Sequence, residues 1–215
     1  MRIAYYSLAV FLPLNWVLFA SGSSLKAADS ANPIPVKVIR EYVEAEQQVH
    51  YPQLKDTRIR FIVDDVDIPL SSRPHWASML RSAKNRTYLV VIDSHREGDR
   101  KELLLAYQPF NAQTGIIGHE LAHTVYYLDR SFFGIARDAL CQLSSCRIRF
   151  ERDTDRRNVE HGLGWQRYDH SLFLRTSFGA DPDAPPNPNS AYTGPRELME
   201  LIEANPAYQS TLAKR

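Results

Sequence analysis

Gly118-His119-Glu120-Leu121-Ala122-His123 is the stretch on which the reading of this chain turns. Its flanks, Thr114-Gly115-Ile116-Ile117 and Thr124-Val125-Tyr126-Tyr127-Leu128, are rich in apolar residues and free of proline, so the pattern predicts a helix over 114–128. On a helix, residues four apart lie one above the other, which brings the imidazoles of His119 and His123 to one point. Two converging imidazoles suit a single tetrahedral Zn2+ ion. Glu120 stands about 100° further round, beside such a metal rather than bound to it, where it can take a proton from a water. Tyr126 and Ile116 share the His119 face, while Ile117, Leu121, Val125 and Leu128 line the far side. A helix apolar nearly all round belongs in the centre of a domain. Two histidines and a glutamate buried there need partners.

A partner stands 28 residues beyond His123, in Phe150-Glu151-Arg152-Asp153-Thr154-Asp155-Arg156-Arg157-Asn158-Val159. Placed on a helix, Ile148, Glu151, Asp155, Asn158, Val159 and Gly162 fall in one narrow stripe. Arg149, Arg152, Asp153, Arg156, Arg157 and Glu160 fan out beyond it. Acids on a core-facing stripe need a positive partner. Glu151 as third metal ligand, and Asp155 as acceptor for the outer N–H of a ligand histidine, meet that need. Ion pairing of both acids with the neighbouring arginines is the alternative. Asp129, six positions after His123, is a rival third ligand, but Tyr126 occupies the position where a turn glycine would be needed to bring it round.

The pair of motifs His119-Glu120-x-x-His123 and Glu151-x-x-x-Asp155 resembles the gluzincin class of zinc metallopeptidases, the thermolysin-like group. The resemblance extends to the order strand, active-site helix, helix, ligand helix over residues 86–163. It implies one Zn2+ held by His119, His123 and Glu151, with Glu120 as general base and Asp155 behind a ligand histidine. It also implies that a third strand, Leu103–Tyr107, offers an edge to which an extended peptide substrate pairs. The chain is much shorter than thermolysin and looks more like the small, one-domain, uncharacterised bacterial members of the group.

The mechanism expected from these residues is hydrolysis of a peptide bond by a water that zinc acidifies and Glu120 deprotonates. The oxyanion needs a second electrophile. Tyr126 shares the zinc face, and Tyr168, His161 and His170 follow the ligand helix, where related enzymes often place such a group, so all four are candidates. The alternative function is a non-catalytic zinc-containing binding or structural protein of the cell envelope. Glu120 speaks against it, because a structural zinc site has four protein ligands and no use for that carboxylate.

The rest of the chain sets the surroundings. Among 215 residues there are 26 basic and 25 acidic ones, with no block of like charge, so nucleic acid is not an expected partner. Arg2, an apolar run from Ile3 to Ala20 and the small residues Ala20-Ser21-Gly22-Ser23-Ser24 read as a secretory signal peptide over 1–28, cut after Gly22 or near Ala27. An uncleaved membrane anchor is the alternative, with Pro13 and Asn15 in its middle against it. Without residues 1–28 the chain has 24 basic against 25 acidic residues. In a secreted or periplasmic protein, Cys141 and Cys146 are expected to form a small disulfide, the alternative being two buried thiols.

The expected fold class is α+β: a small, mostly helical, zincin-like domain over 29–215 with a three-stranded sheet preceding the active-site helix. Val36–Val49 reads as a helix opened by Pro35, and residues 57–63 as a half-buried strand. Residues 64–80 read as turns, Tyr88–Asp93 as the second strand, Ser94–Lys101 as a charged loop and Leu103–Tyr107 as the third strand, ended by Pro109. Ser131 caps a helix over Phe132–Leu143, and Arg147–His161 is a helix closed by Gly162. Tyr168–Phe178 is a further helix, residues 181–189 with four prolines are a loop, and Pro195 opens the last helix.

Overall fold

The computed structural model describes residues 49–142 and 145–209. The expected signal segment lies outside them, as does the expected helix over 36–49 apart from Val49. The architecture is α+β, with three strands followed by a run of helices.

Strand β1 is Arg58–Asp64, β2 is Leu70–Pro74 and β3 is Thr87–Asp93. They form one mixed sheet in the order β1-β3-β2. β3 runs parallel to β1, with Phe61 opposite Val90, and antiparallel to β2, with Ser72 opposite that same Val90. Paired on both sides, β3 buries every residue from Tyr88 to Asp93, which explains its unbroken apolar run.

Two expectations about this sheet need correction. Leu103–Tyr107 is not a strand: Gly98–Leu103 and Leu105–Tyr107 are 3-10 turns, and the Gln108 side chain donates back to the Leu103 carbonyl. Both edges of β3 are already taken, so this leucine run has no ladder to join and buries Leu104 and Leu105 from a turn instead. The third strand is β2, inside the segment that reads as turns. Its prolines stand where they do no harm: Pro69 precedes it and accepts from the Asp93 N–H, and Pro74 is its last residue.

Helix α1, Phe110–Leu128, packs across the sheet, and Ser72 on β2 hydrogen-bonds Thr124 at 2.8 Å. It begins four residues earlier than expected, directly after Pro109. Helix α2 is Phe132–Cys141, with the Ser131 hydroxyl accepting from the Gly134 N–H as the cap reading requires. Helix α3 is Cys146–Asn158, and the disulfide Cys141–Cys146 ties its first residue to the end of α2. A π-turn, Val159–Leu163, then leads into α4, Gly164–Ser177. Gly162 in this turn has φ 90°, the left-handed conformation a glycine adopts freely. The expected glycine stop is therefore present, but the next helix starts two residues later and not at Tyr168. Helix α5, Pro195–Ala204, is followed by a 3-10 turn, Pro206–Tyr208, at the end of the described residues. No helix among the described residues is long and apolar enough to cross a membrane.

The central core joins Tyr51, Leu54, Val90, Ile92, Ile117, Leu121 and Leu163, and a second cluster joins Val159, Leu198, Ile202 and Tyr208. Gly115 and Gly118, one turn apart on α1, let the backbones meet. A Cβ at Gly115 would overlap the Gln166 carbonyl and lie 2.6 Å from the Arg167 nitrogen, and one at Gly118 would lie 2.7 Å from Asn158 Oδ1. Tyr51 and Asn158 seal this crossing: the Tyr51 hydroxyl is 2.8 Å from the Gly118 carbonyl and from Asn158 Oδ1, and the Asn158 amide donates to the Gly115 carbonyl. The histidine helix is thereby locked against the π-turn and α4.

Candidate metal centre

His119 and His123 lie one helical turn apart on α1, and Glu151 reaches them from α3. Nε2 of His119 is 3.1 Å from Nε2 of His123, and Oε2 of Glu151 is 3.2 Å from the first and 3.3 Å from the second. Among the described residues, these three are the group of His, Cys, Asp and Glu side chains placed to share one metal ion. Donors around a tetrahedral zinc with bonds of about 2.0–2.1 Å are separated by about 3.3–3.4 Å. The observed triangle is within a few tenths of an ångström of one face of that tetrahedron. The two histidine side chains are 7% exposed and that of Glu151 20%, so the triangle opens toward solvent on the glutamate's side.

The far side of each imidazole is also occupied. His119 Nδ1 donates to Asp155 Oδ1 at 2.7 Å, and Asp155 is in turn held by Arg167, with Nε at 2.6 Å and Nη2 at 3.4 Å. His123 Nδ1 lies 3.2 Å from the Thr154 hydroxyl, which is itself 2.9 Å from the Phe150 carbonyl. The Phe150 ring stacks on His123 with centroids 4.8 Å apart. Both rings thus turn Nδ1 away from the triangle and Nε2 into it, the orientation that outer hydrogen bonds impose on ligand histidines.

The electrostatics follow from this packing. Burial disfavours charge on His119, yet Asp155 and Glu151 outweigh it and raise the imidazole to about 9. Burial likewise opposes ionisation of Glu151 and Asp155, but His123 and His119 beside the first, and Arg167 and His119 beside the second, hold both well below the usual carboxylate range. Glu120 behaves differently: burial raises its carboxyl despite the nearby His123 and His119. Its Oε2 is buried without a hydrogen-bond partner. A buried acceptor left unsatisfied is costly. An orphan carboxylate oxygen beside a three-donor triangle suits a metal with an open position and a water. The residues present therefore fit a zinc ion, with His119, His123 and Glu151 to hold it.

The remaining candidates are placed elsewhere. Tyr126 donates to Asp138 Oδ2 at 2.8 Å and carries the Arg130 guanidinium over its ring, so its hydroxyl is engaged with α2. Tyr168 packs against the second hydrophobic cluster. His161 stacks on Tyr51 with centroids 4.6 Å apart and hydrogen-bonds the Arg157 carbonyl and Gln53. His170 is buried, with Nδ1 2.8 Å from Gln108 Oε1. Burial, then the charges of Arg167 and His119, push His170 well below the ordinary histidine value. Asp129 is exposed at the end of α1 and stands outside the triangle.

Thr154, Arg167, Gln108 and Tyr192 are the neighbours that sequence reasoning passes over. Thr154 sits in a helix rich in charge, where one more polar residue carries no signature, and Arg167 is one of three charged residues scattered along α4. Tyr192 follows the proline loop, which Arg152 docks on α3 through the Asn187 and Ser190 carbonyls. Its phenol is raised, by desolvation of the oxygen although the residue is 60% exposed and by the nearby Glu151, against the charge and hydrogen bond of Arg147. Comparison with protein-family models, curated proteins and solved structures gives no match.

Proposed function

We propose that this chain is an exported zinc-dependent metallopeptidase, with a zincin-like arrangement of sheet and active-site helix of the gluzincin kind. The observation that carries this reading is the triangle of His119, His123 and Glu151 beside the buried carboxylate of Glu120, whose Oε2 has no hydrogen-bond partner. A zinc ion bound by that triangle supplies a Lewis acid that acidifies water and polarises a carbonyl.

The chain's own groups do the rest. Glu120 takes the proton of the attacking water at Oε2, the oxygen without a hydrogen-bond partner, and passes it to the leaving amine. His119 and His123 are held in register by Asp155 and Thr154. Tyr192, which interacts with Glu151 and is hydrogen-bonded to Arg147, takes the place of Tyr126 and Tyr168 as donor toward a developing oxyanion. Among the described residues β2 is an edge strand tied to α1 beside His123. Its outer backbone, rather than Leu103–Tyr107, is where an extended peptide substrate would pair. Export rests on the apolar N-terminal run and agrees with the disulfide.

The test is zinc content together with peptide cleavage, read by mass spectrometry of a peptide library. The expected result is one zinc per chain and cleavage products that disappear in Glu120→Gln while zinc is retained. Full hydrolysis by Glu120→Gln with zinc bound would refute the role of Glu120. Zinc without turnover of any peptide would favour the non-catalytic envelope protein instead.

A further inference from the structure

Two imidazoles converge at the triangle, and their outer partners differ in kind. His119 leans on a carboxylate, Asp155, that Arg167 clamps in place. His123 leans on an uncharged hydroxyl, that of Thr154, which is fully buried. A threonine inside a helix commonly bonds the carbonyl four residues back, and Thr154 does so with Phe150. That habit has a consequence here. A hydroxyl has one proton, so once it is donated to the Phe150 carbonyl only lone pairs remain to face His123. His123 Nδ1 must then carry the proton, and its Nε2, 3.3 Å from Glu151, is left with a lone pair. The hydrogen bonds run one way, from His123 to Thr154 to the Phe150 carbonyl. The Phe150 ring, stacked on the imidazole 20° from parallel, fixes the plane in which the chain operates.

We propose that Thr154 is a positioning residue for the metal: its hydroxyl sets His123 in the tautomer and orientation that present Nε2 to the ion. This rests on the metal reading above and deepens it. The acceptor is local to α3, since Phe150, Glu151 and Thr154 occupy a single turn and a half of that helix. One helix therefore supplies a ligand, a ring stacked on a second ligand, and the acceptor that orients that second ligand.

The test compares Thr154→Val, which keeps the shape and removes the hydroxyl, with Thr154→Ser, which keeps the hydroxyl. Zinc affinity is measured by competition with a chromophoric chelator on the whole chain. The state of His123 is followed by 15N NMR of the zinc-loaded protein, and ligand geometry by the visible spectrum of the Co2+ form. The expected result is a zinc affinity about 10–100-fold weaker in Thr154→Val, the usual effect of losing an outer hydrogen-bond partner. The protected His123 Nδ1–H resonance should disappear with it and the Co2+ spectrum should change. Thr154→Ser should return all three to the parent pattern. Should Thr154→Val fail to fold, Thr154→Ala against Thr154→Ser makes the same comparison. If the hydroxyl-less variant binds zinc within about two-fold of the parent, with the His123 signal intact, the proposal is overturned while the metal site stands. If the parent binds no zinc, the metal reading and this proposal fall together.

Discussion

Arg167→Met in metal-free protein is the perturbation that most directly probes how the centre is built. Arg167 is 4% exposed and Asp155 fully buried, and the guanidinium reaches both carboxylate oxygens, at 2.6 Å and 3.4 Å. Truncating the arginine leaves the Asp155 carboxylate in the core with His119 as its remaining charged partner. Breaking a buried pair from one side costs about 3–5 kcal/mol. At this chain length that corresponds to a fall in Tm of roughly 6–20 °C. Asp155→Ala should cost a similar amount, because it strands Arg167 and removes the His119 acceptor as well. The double variant carries neither buried charge of the pair. It should be more stable than the sum of the singles predicts by about 0.5–3 kcal/mol, the range expected for residues in one network. The assay is urea unfolding followed by circular dichroism at neutral pH with a chelator present, run as a double-mutant cycle. Single variants that each cost less than about 1 kcal/mol, or effects that add within about 0.5 kcal/mol, would refute the view of this pair as a coupled buried unit.

Three further outcomes follow from the same geometry. Metal-free protein should lose stability in two directions: His119, raised to about 9, contributes fully below its unfolded value near 6.5 and loses that contribution as pH rises through 9. Asp155, held low by Arg167 and His119 against its burial, contributes above the ordinary aspartate value and loses that contribution as pH falls through its depressed one. Zinc competes with the His119 proton, so the zinc-loaded protein should not weaken between pH 6.5 and 9, and thermal melts with and without chelator would show this. Gly115→Ala should destabilise by about 3 kcal/mol or more, since its Cβ would overlap the Gln166 carbonyl, whereas Gly134→Ala, where the nearest atom is 3.5 Å away, should change little; chemical unfolding compares them. Finally, Glu151→Ala should abolish stoichiometric zinc in elemental analysis while Asp129→Ala retains it, and the reverse outcome would reinstate the ligand that lies outside the triangle.

Much of this protein was legible without coordinates wherever a local period carries the information. The i, i+4 spacing of His119 and His123, the stripe that joins Glu151 to Asp155, the alternation of residues 58–63 and the apolar run of β3 are properties of neighbouring residues, and the structure forms helices and strands there. The Ser131 cap and the close cysteine pair are local in the same sense. What failed depends on contacts between distant segments. Leu103–Tyr107 has a strand's composition, but β1 and β2 already flank β3. Leu70–Pro74 has a turn's composition, but an edge position tolerates its terminal proline. Tyr126 shares the metal face by angle, yet Asp138 on α2 draws its hydroxyl away.

The centre shows the same division. The amino-acid sequence by itself determined which side chains share a helix face, because 3.6 residues per turn makes that a matter of spacing. Only the tertiary structure decided that α1 and α3 approach closely enough for Glu151 to complete the triangle, through the contact of Gly118 with Asn158 and the Tyr51–Asn158 seal. It alone decided that Arg167 clamps Asp155 and that Thr154 faces His123. Those pairings are set by how two helices cross, and no spacing within either helix encodes the crossing.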